Sequence, residues 1–212
     1  EYWACLKVTK AELGSCNGYA KNCKYGDILN SDGTCTSNQV SGKIPLAIVI
    51  YVNSKGCGQA ITASAIAKDI PWSTEMVITN AGTSSDWETA QSEYDSSYNT
   101  KKLIGRNNAN EKYPAAWLAA NYAPADAPET KGKWLLPAAG VIRKIFGNLD
   151  EYNQAVSRVG GETVWKNIIW SSTEANKEVA WAFYIGGFAA EQNGLSYSNK
   201  ISMYEIRPVI EF

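Results

Sequence analysis

Ile168-Ile169-Trp170-Ser171-Ser172-Thr173-Glu174, followed by Ala180-Trp181-Ala182-Phe183-Tyr184-Ile185 and the pair Gly186-Gly187, is the stretch on which the fold class turns. Its first part reads as a strand that enters a turn at the three hydroxyl residues, whose side chains can satisfy backbone groups there. Its second part alternates as a strand, and the two glycines close it. Residues 195–198 add a short strand and residues 204–212 a last one. The end of the chain is therefore a run of antiparallel strands.

Upstream, the pattern is helical. Residues 149–159, LDEYNQAVSRV, form a helix that Gly160-Gly161 stops. Another covers about 137–146, started by Pro137, with Val141, Ile142 and Ile145 inward. Residues 100–122 hold a third, with Tyr113, Trp117, Leu118 and Tyr122 on one face and Pro114 in its first turn. Residues 123–132 are a Pro-rich loop. The Ser, Thr, Asn and Asp content of 80–100 reads as surface loop with at most one turn of helix.

Further upstream, residues 44–52, IPLAIVIYV, are nearly continuously apolar, which means a strand buried on both faces. A turn at 53–56 returns the chain into a partner strand at 58–62. Residues 24–36 read as a short strand and a tight turn at Ser31-Asp32-Gly33. Asp27 and Asp32 belong to turn chemistry, because a calcium loop needs further oxygen ligands at alternating positions. Helices in the middle and strands at the end make an α+β domain, helices packed on a curled, mainly antiparallel sheet. Residues 1–23 read as a separate stem-like segment: a short helix with Trp3, Leu6, Lys7 and Lys10 on one face, then a loop from Gly14. Residues 24–212 form the domain proper.

Composition bounds the chemistry. With 20 Lys+Arg against 21 Asp+Glu, the net charge is -1, and the electrostatic case for nucleic acid is absent. There is no histidine, so no Ser-His-Asp triad, Cys-His dyad, histidine base or His-ligated zinc is available within the chain. The longest apolar run is broken by Pro45 and too short to span a bilayer. All five cysteines, Cys5, Cys16, Cys23, Cys35 and Cys57, lie in the first 57 residues, without a CxxC pair. They read as disulfides of an exported protein, at most two bridges with one thiol left over, rather than as a metal site. No metal or cofactor is expected.

Several short motifs recur in order: Trp134-Leu135-Leu136-Pro137 at a helix start, Trp170-Ser171-Ser172-Thr173-Glu174, Ala180-Trp181, and Arg207-Pro208-Val209. Gly26-Asp27-Ile28-Leu29, Asp32-Gly33-Thr34 and Tyr113-Pro114-Ala115-Ala116 precede them. Together they resemble the C-terminal domain family of the Lcl collagen-like adhesins. The resemblance implies a C-type-lectin-like fold: two to three helices on a twisted, mainly antiparallel sheet built from both ends of the domain, here with a disulfide-stapled N-terminal segment. That fold also carries formylglycine-generating enzymes and the variable proteins of diversity-generating retroelements, so it does not choose between binding and catalysis. No cysteine lies beyond residue 57, where the enzyme would need a pair, and the Glu-Pro-Asn, Gln-Pro-Asp and Trp-Asn-Asp signatures of calcium-dependent sugar binding are absent.

The reading that follows is an exported, non-catalytic bacterial surface module, secreted or at the cell surface, that binds a glycan or protein ligand. Three alternatives stand beside it: a retroelement-diversified variable protein, a pilin-like or surface-assembly subunit, and a carboxylate-based hydrolase. A membrane-anchored stem before Glu1 and an oligomeric assembly are further expectations. The expected ligand face comprises Tyr184, Phe188, Gln192, Asn193, Tyr197, Ser198, Asn199 and Tyr204, because tyrosine among Ser, Asn and Gly makes adaptable contact surfaces. Trp134, Trp170 and Trp181 are expected in the core, each indole N–H needing a partner. Glu174 is expected to pair with Arg207 or a neighbouring backbone amide as a clasp. A role as general acid would instead require a second carboxylate in a cleft.

Overall fold

The computed structural model describes residues 20–186 and 194–212. Two sheets share the core. The first is antiparallel throughout, in the order β2 (Cys35–Thr36), β1 (Ile28–Asn30), β3 (Pro45–Val52), β4 (Gly58–Ile61), β11 (Val209–Glu211), β6 (Trp134–Leu135). The second runs β5 (Ala67–Pro71), β10 (Met203–Ile206), β7 (Ile168–Glu174), β8 (Val179–Tyr184), β9 (Gly194–Asn199). It too is antiparallel, apart from a parallel contact of β10 with β7 at Glu205 and Ile169. The helices are α1 (Trp87–Ala90), α2 (Ser96–Ile104), α3 (Ala109–Lys112), α4 (Pro114–Asn121), α5 (Ala139–Ile142) and α6 (Leu149–Arg158).

The apolar run of β3 is buried on both faces because the first sheet lies between two clusters. Ile48 and Ile50 join Ile28, Ile61, Val209 and the α5 and α6 side chains on one side. Ala47 and Val49 join Leu29, Ala60, Trp134, Ile210 and Phe212 on the other. The second sheet behaves likewise: Ile169, Trp181 and Phe183 face the shared core, and Trp170, Ala180, Ala182 and Ile206 face α3 and α4. Gly58 sits where the layers are tightest. A Cβ there would lie 2.1 Å from the Tyr51 carbonyl oxygen and 2.4 Å from the Phe212 ring. Gly58→Ala is therefore expected to cost about 1–3 kcal/mol by overpacking, read by thermal melting. An unchanged melting temperature would refute the close approach.

Several sequence expectations are met. The partner strand at 58–62 is β4, the Ser31-Asp32-Gly33 turn joins β1 to β2, α6 ends before Gly160, and Val141, Ile142 and Ile145 are fully buried. The Asp32 carboxylate accepts from the Thr34 amide at 3.1 Å and is held at a pKa of about 2, chiefly by its hydrogen bond with Lys43. Pro114 is in the first turn of α4.

Others are corrected. The Trp170–Glu174 segment is no turn: β7 runs through it with an irregularity between Trp170 and Glu174. Its hydroxyls do serve the backbone, but from inside the core. Ser171 Oγ donates to the Trp181 carbonyl at 2.7 Å, and Thr173 Oγ1 accepts from the Ala139 amide at 2.9 Å. Trp134-Leu135 is a strand, not a helix start; α5 begins at Ala139, and the Pro137 carbonyl accepts from the Ser172 amide at 2.7 Å.

Residues 96–104 are helix rather than loop. Their buried face is Ser96, Asn99, Thr100 and Leu103, so the apolar period that marks a helix is missing. The expected helix at 100–122 is broken, since a residue before proline is driven out of the α region, and Tyr113 has φ -131 and ψ 56. The buried face of α4 is Ala115, Ala116 and Ala119, leaving Trp117 37% exposed. The expected last strand is two strands in different sheets, divided at Arg207-Pro208, where proline offers no ladder donor.

Cys23 and Cys35 form a disulfide, Cα to Cα 5.2 Å, that ties the start of the described chain to β2. Cys57 is disulfide-bonded as well. Cys5, Cys16 and the expected helix in 1–23 lie outside the described residues. Among the described residues no helix is long and apolar enough to cross a membrane.

Candidate recognition surface

The pleat decides which of the expected ligand residues can act together. In the β8–β9 ladder Trp181 pairs with Tyr197 and Ala180 with Ser198. Successive residues point to opposite faces, so Tyr197 and Ser198 cannot share one. Tyr197 packs edge-on against Trp181 at 5.3 Å and is 56% exposed.

The other face carries Tyr184, Ser198 and Tyr204. The two tyrosine hydroxyls are 3.2 Å apart, and Ser198 Oγ lies 2.7 Å from that of Tyr204. The Tyr204 ring leans on Trp170 at 4.7 Å. Burial pushes the Tyr184 phenol up to about 12, so it stays protonated at neutral pH. Tyr204 also lines an open groove of about 310 Å³ with Lys68, Asp69, Asn167, Met203 and Glu205. Asn199 ends β9 and serves the turn that follows: its side chain accepts from the Ile201 amide at 3.1 Å. Asn193, Phe188 and Gln192 lie outside the described residues. The expected face is thus two small faces back to back on the second sheet, one on β9 at Tyr197 and one shared by β8, β9 and β10.

Glu174 and Arg207 go to different partners. Glu174 is fully buried, pairs with the equally buried Lys200 at 2.5 Å, and accepts from the Thr79 amide at 3.0 Å, the Asn80 amide at 3.2 Å and the Thr83 hydroxyl. Lys200 also donates to the Val77 carbonyl at 2.8 Å and stands 4.8 Å from the centre of the Trp72 ring. Burial lowers the Lys200 pKa against the opposing pull of Glu174. Arg207 donates to the Glu162 carbonyl at 2.9 Å and the Ala63 carbonyl at 3.2 Å, with Glu205 at 3.4 Å. It fastens two connections where the chain crosses between sheets.

The consequence of the first cluster was missed in the sequence. Backbone groups of Val77, Thr79 and Asn80 are pinned by Lys200 and Glu174, while Met76, Val77 and Ile78 remain 38%, 37% and 45% exposed. Three adjacent apolar residues in a loop are visible in the sequence, but no periodicity tells that they face outward. Lys200, between turn residues, gives no hint of burial.

Trp134, Trp170 and Trp181 are at most 1% exposed. Their indoles donate to Thr130 Oγ1 at 3.0 Å, the Ile70 carbonyl at 2.9 Å and the Ser84 carbonyl at 2.8 Å. Among the described residues one carboxyl has a raised pKa: Glu211 is pushed up to about 7, first by burial and then by Asp95. Asp95 is engaged as the N-cap of α2, accepting from the Tyr98 amide at 2.7 Å. Glu211 itself accepts from Gln59 at 3.2 Å. Both acids hold secondary structure together. Among the described residues no cluster of three Cys, Asp or Glu side chains is placed to hold a metal.

No family model matches the chain, and no curated protein does. Among solved structures it is similar to a fimbrial protein from Bacteroides ovatus, with a TM-score of 0.64 at 14% identity over 89% of this chain. The chain spans about half, 49%, of that protein's length. At that identity the likeness is one of fold.

Proposed function

We propose that this chain is a non-catalytic recognition module of an exported bacterial surface appendage, of C-type-lectin-like architecture, binding a glycan or protein ligand. The observation that carries the reading is the likeness of fold, over 89% of the chain, to a protein described as fimbrial. The Cys23–Cys35 disulfide supports an oxidising, extracytoplasmic location. Tyr197 on β9, the edge strand of the second sheet among the described residues, and the pinned apolar loop at 76–78 supply exposed contact area of the kind that recognition uses. The same likeness favours a surface-assembly subunit as the second reading.

A glycan and matrix array probed with the oxidised chain, with and without calcium, tests this. Tyr197→Ala is expected to reduce specific binding at least tenfold while leaving the melting temperature within about 1 °C, since a half-exposed side chain contributes little to stability. Tyr204→Ala is expected to lose both binding and stability, because its ring packs on Trp170. An array without any specific ligand, in a chain that instead self-associates end to end, would move the assignment to the assembly subunit.

A further inference from the structure

We propose that the groove between the β4–β5 connection and the C-terminal half of α4 binds a neutral saccharide. The proposal rests on the recognition-module reading and names the ligand class and a site for it away from the edge strand. The groove encloses about 540 Å³ and is lined by Leu46, residues 62–66, Trp117, Leu118 and residues 121–123. That volume is within the range of about 300–1,000 Å³ usual for small-ligand clefts.

Its chemistry is specific in three respects. First, no lining residue carries a charge. A phosphate, sulfate, carboxylate or ammonium ligand would enter without a counter-charge, at a large desolvation cost. Second, Trp117 differs from the buried tryptophans. They bury their rings, and their N–H groups are bonded to protein; Trp117 lines the groove 37% exposed, and its indole N–H has no acceptor among the described residues. An aromatic face beside hydrogen-bonding groups suits a ring with one C–H face and a rim of hydroxyls. Third, Thr62 lines the groove at 3% exposure, and its hydroxyl has no hydrogen-bond partner among the described residues. Buried hydroxyls are ordinarily paired, and a ligand hydroxyl would complete this one.

The remaining groups fit the same partner. The Asn121 amide donates to the Trp117 carbonyl at 2.9 Å, which orients its side-chain oxygen as an acceptor. Ser64 Oγ accepts from the Glu162 amide at 3.0 Å and keeps its proton to donate. Burial raises the Tyr122 phenol pKa, so it remains a donor. A peptide could not bind here by adding a strand, since β4 is paired on both edges, by β3 and β11.

The test is titration of the intact, oxidised chain with methyl α-mannoside, N-acetylglucosamine and lactose, with 3′-sialyllactose as the acidic counterpart. Tryptophan fluorescence and ligand-detected NMR report binding. At least one neutral sugar is expected to bind, tenfold or more weakly after Trp117→Ala and unchanged after Trp165→Ala, a residue 63% exposed outside the groove. Thr62→Val is expected to weaken binding several-fold while raising the melting temperature, because it removes an unpaired hydroxyl. A purely structural threonine would not show that split. Neutral-sugar binding that survives Trp117→Ala, or a preference for the sialylated sugar, overturns the proposal. Array binding lost in Tyr197→Ala but intact in Trp117→Ala overturns the groove and leaves the recognition module standing. Silence of the sugars and of the whole array removes both.

Discussion

Lys200→Met is expected to lower the free energy of unfolding by about 3–5 kcal/mol, measured by denaturant titration, because it strands a buried carboxylate. Both side chains of the Glu174–Lys200 pair are fully buried. The variant leaves Glu174 with its bonds to the Thr79 and Asn80 amides and the Thr83 hydroxyl, but with no cation beside it. Glu174→Gln is expected to hurt in the complementary way, leaving a buried ammonium over Trp72. The loss has a local signature as well. Hydrogen exchange at the Thr79 and Asn80 amides should accelerate before global unfolding, since the carboxylate that holds them is what the lysine orients. A cost below about 1 kcal/mol, the value of an exposed pair, would show that the pair is solvated. Slow exchange at those amides would show that the loop at 76–80 is held by something else.

The second large effect is in pH. Wild-type stability is expected to fall by about 3 kcal/mol as the pH rises from about 4.5 to about 7, at 1.36 kcal/mol per pH unit. The group responsible is Glu211, whose pKa rises from 4.5 to about 7 on folding, chiefly through burial. Between those two values the folded chain holds a proton that the unfolded chain has released. The folded state is thereby favoured at the low end of the window, and the advantage disappears as the pH passes the folded value. Glu211→Gln keeps the shape, removes the titration and should flatten the curve. Below pH 4.5 the sign reverses. Asp32, Glu75, Asp86 and Glu162 have lowered pKa values through hydrogen bonds with Lys43, Tyr113, Thr89 and Lys68 respectively, and their contribution is lost on acidification. Maximum stability near pH 5 is the combined expectation. A flat wild-type curve from pH 5 to 7 would refute the assignment to Glu211.

The parts of the fold that were legible in the sequence are those where one side chain's polarity reports its surroundings. The nearly uninterrupted apolar run at 44–52 marks a strand buried on both faces, and β3 is so buried from Leu46 to Ile50, while Ile44 lies outside it, 36% exposed. Gly160 after LDEYNQAVSRV, Pro114 in a first turn and Ser31-Asp32-Gly33 in a turn follow from local sterics alone. The cysteine cluster likewise marked an oxidised N-terminal region, and Cys23 and Cys35 are bonded.

Tertiary structure decided what depends on neighbours distant in sequence. The helix at 96–104 buries Ser96 and Thr100 because Gln59, Leu136 and Ala138 supply partners, such as Ser96 Oγ donating to Gln59 at 2.7 Å. A polar inward face of that kind is invisible to hydrophobic period. Lys200 is buried because Glu174, 26 residues upstream, and the Val77 carbonyl, 123 residues upstream, converge on its ammonium. Tyr197 and Ser198 fall on opposite faces because one register, Trp181 against Tyr197, fixes every side chain of the edge strand at once. Arg207-Pro208 divides what reads as one strand, since the chain leaves one sheet there and joins the other. Local chemistry sets which residues form elements; the pairing of β10 and β11 with strands from the first half of the chain sets which of them face a partner.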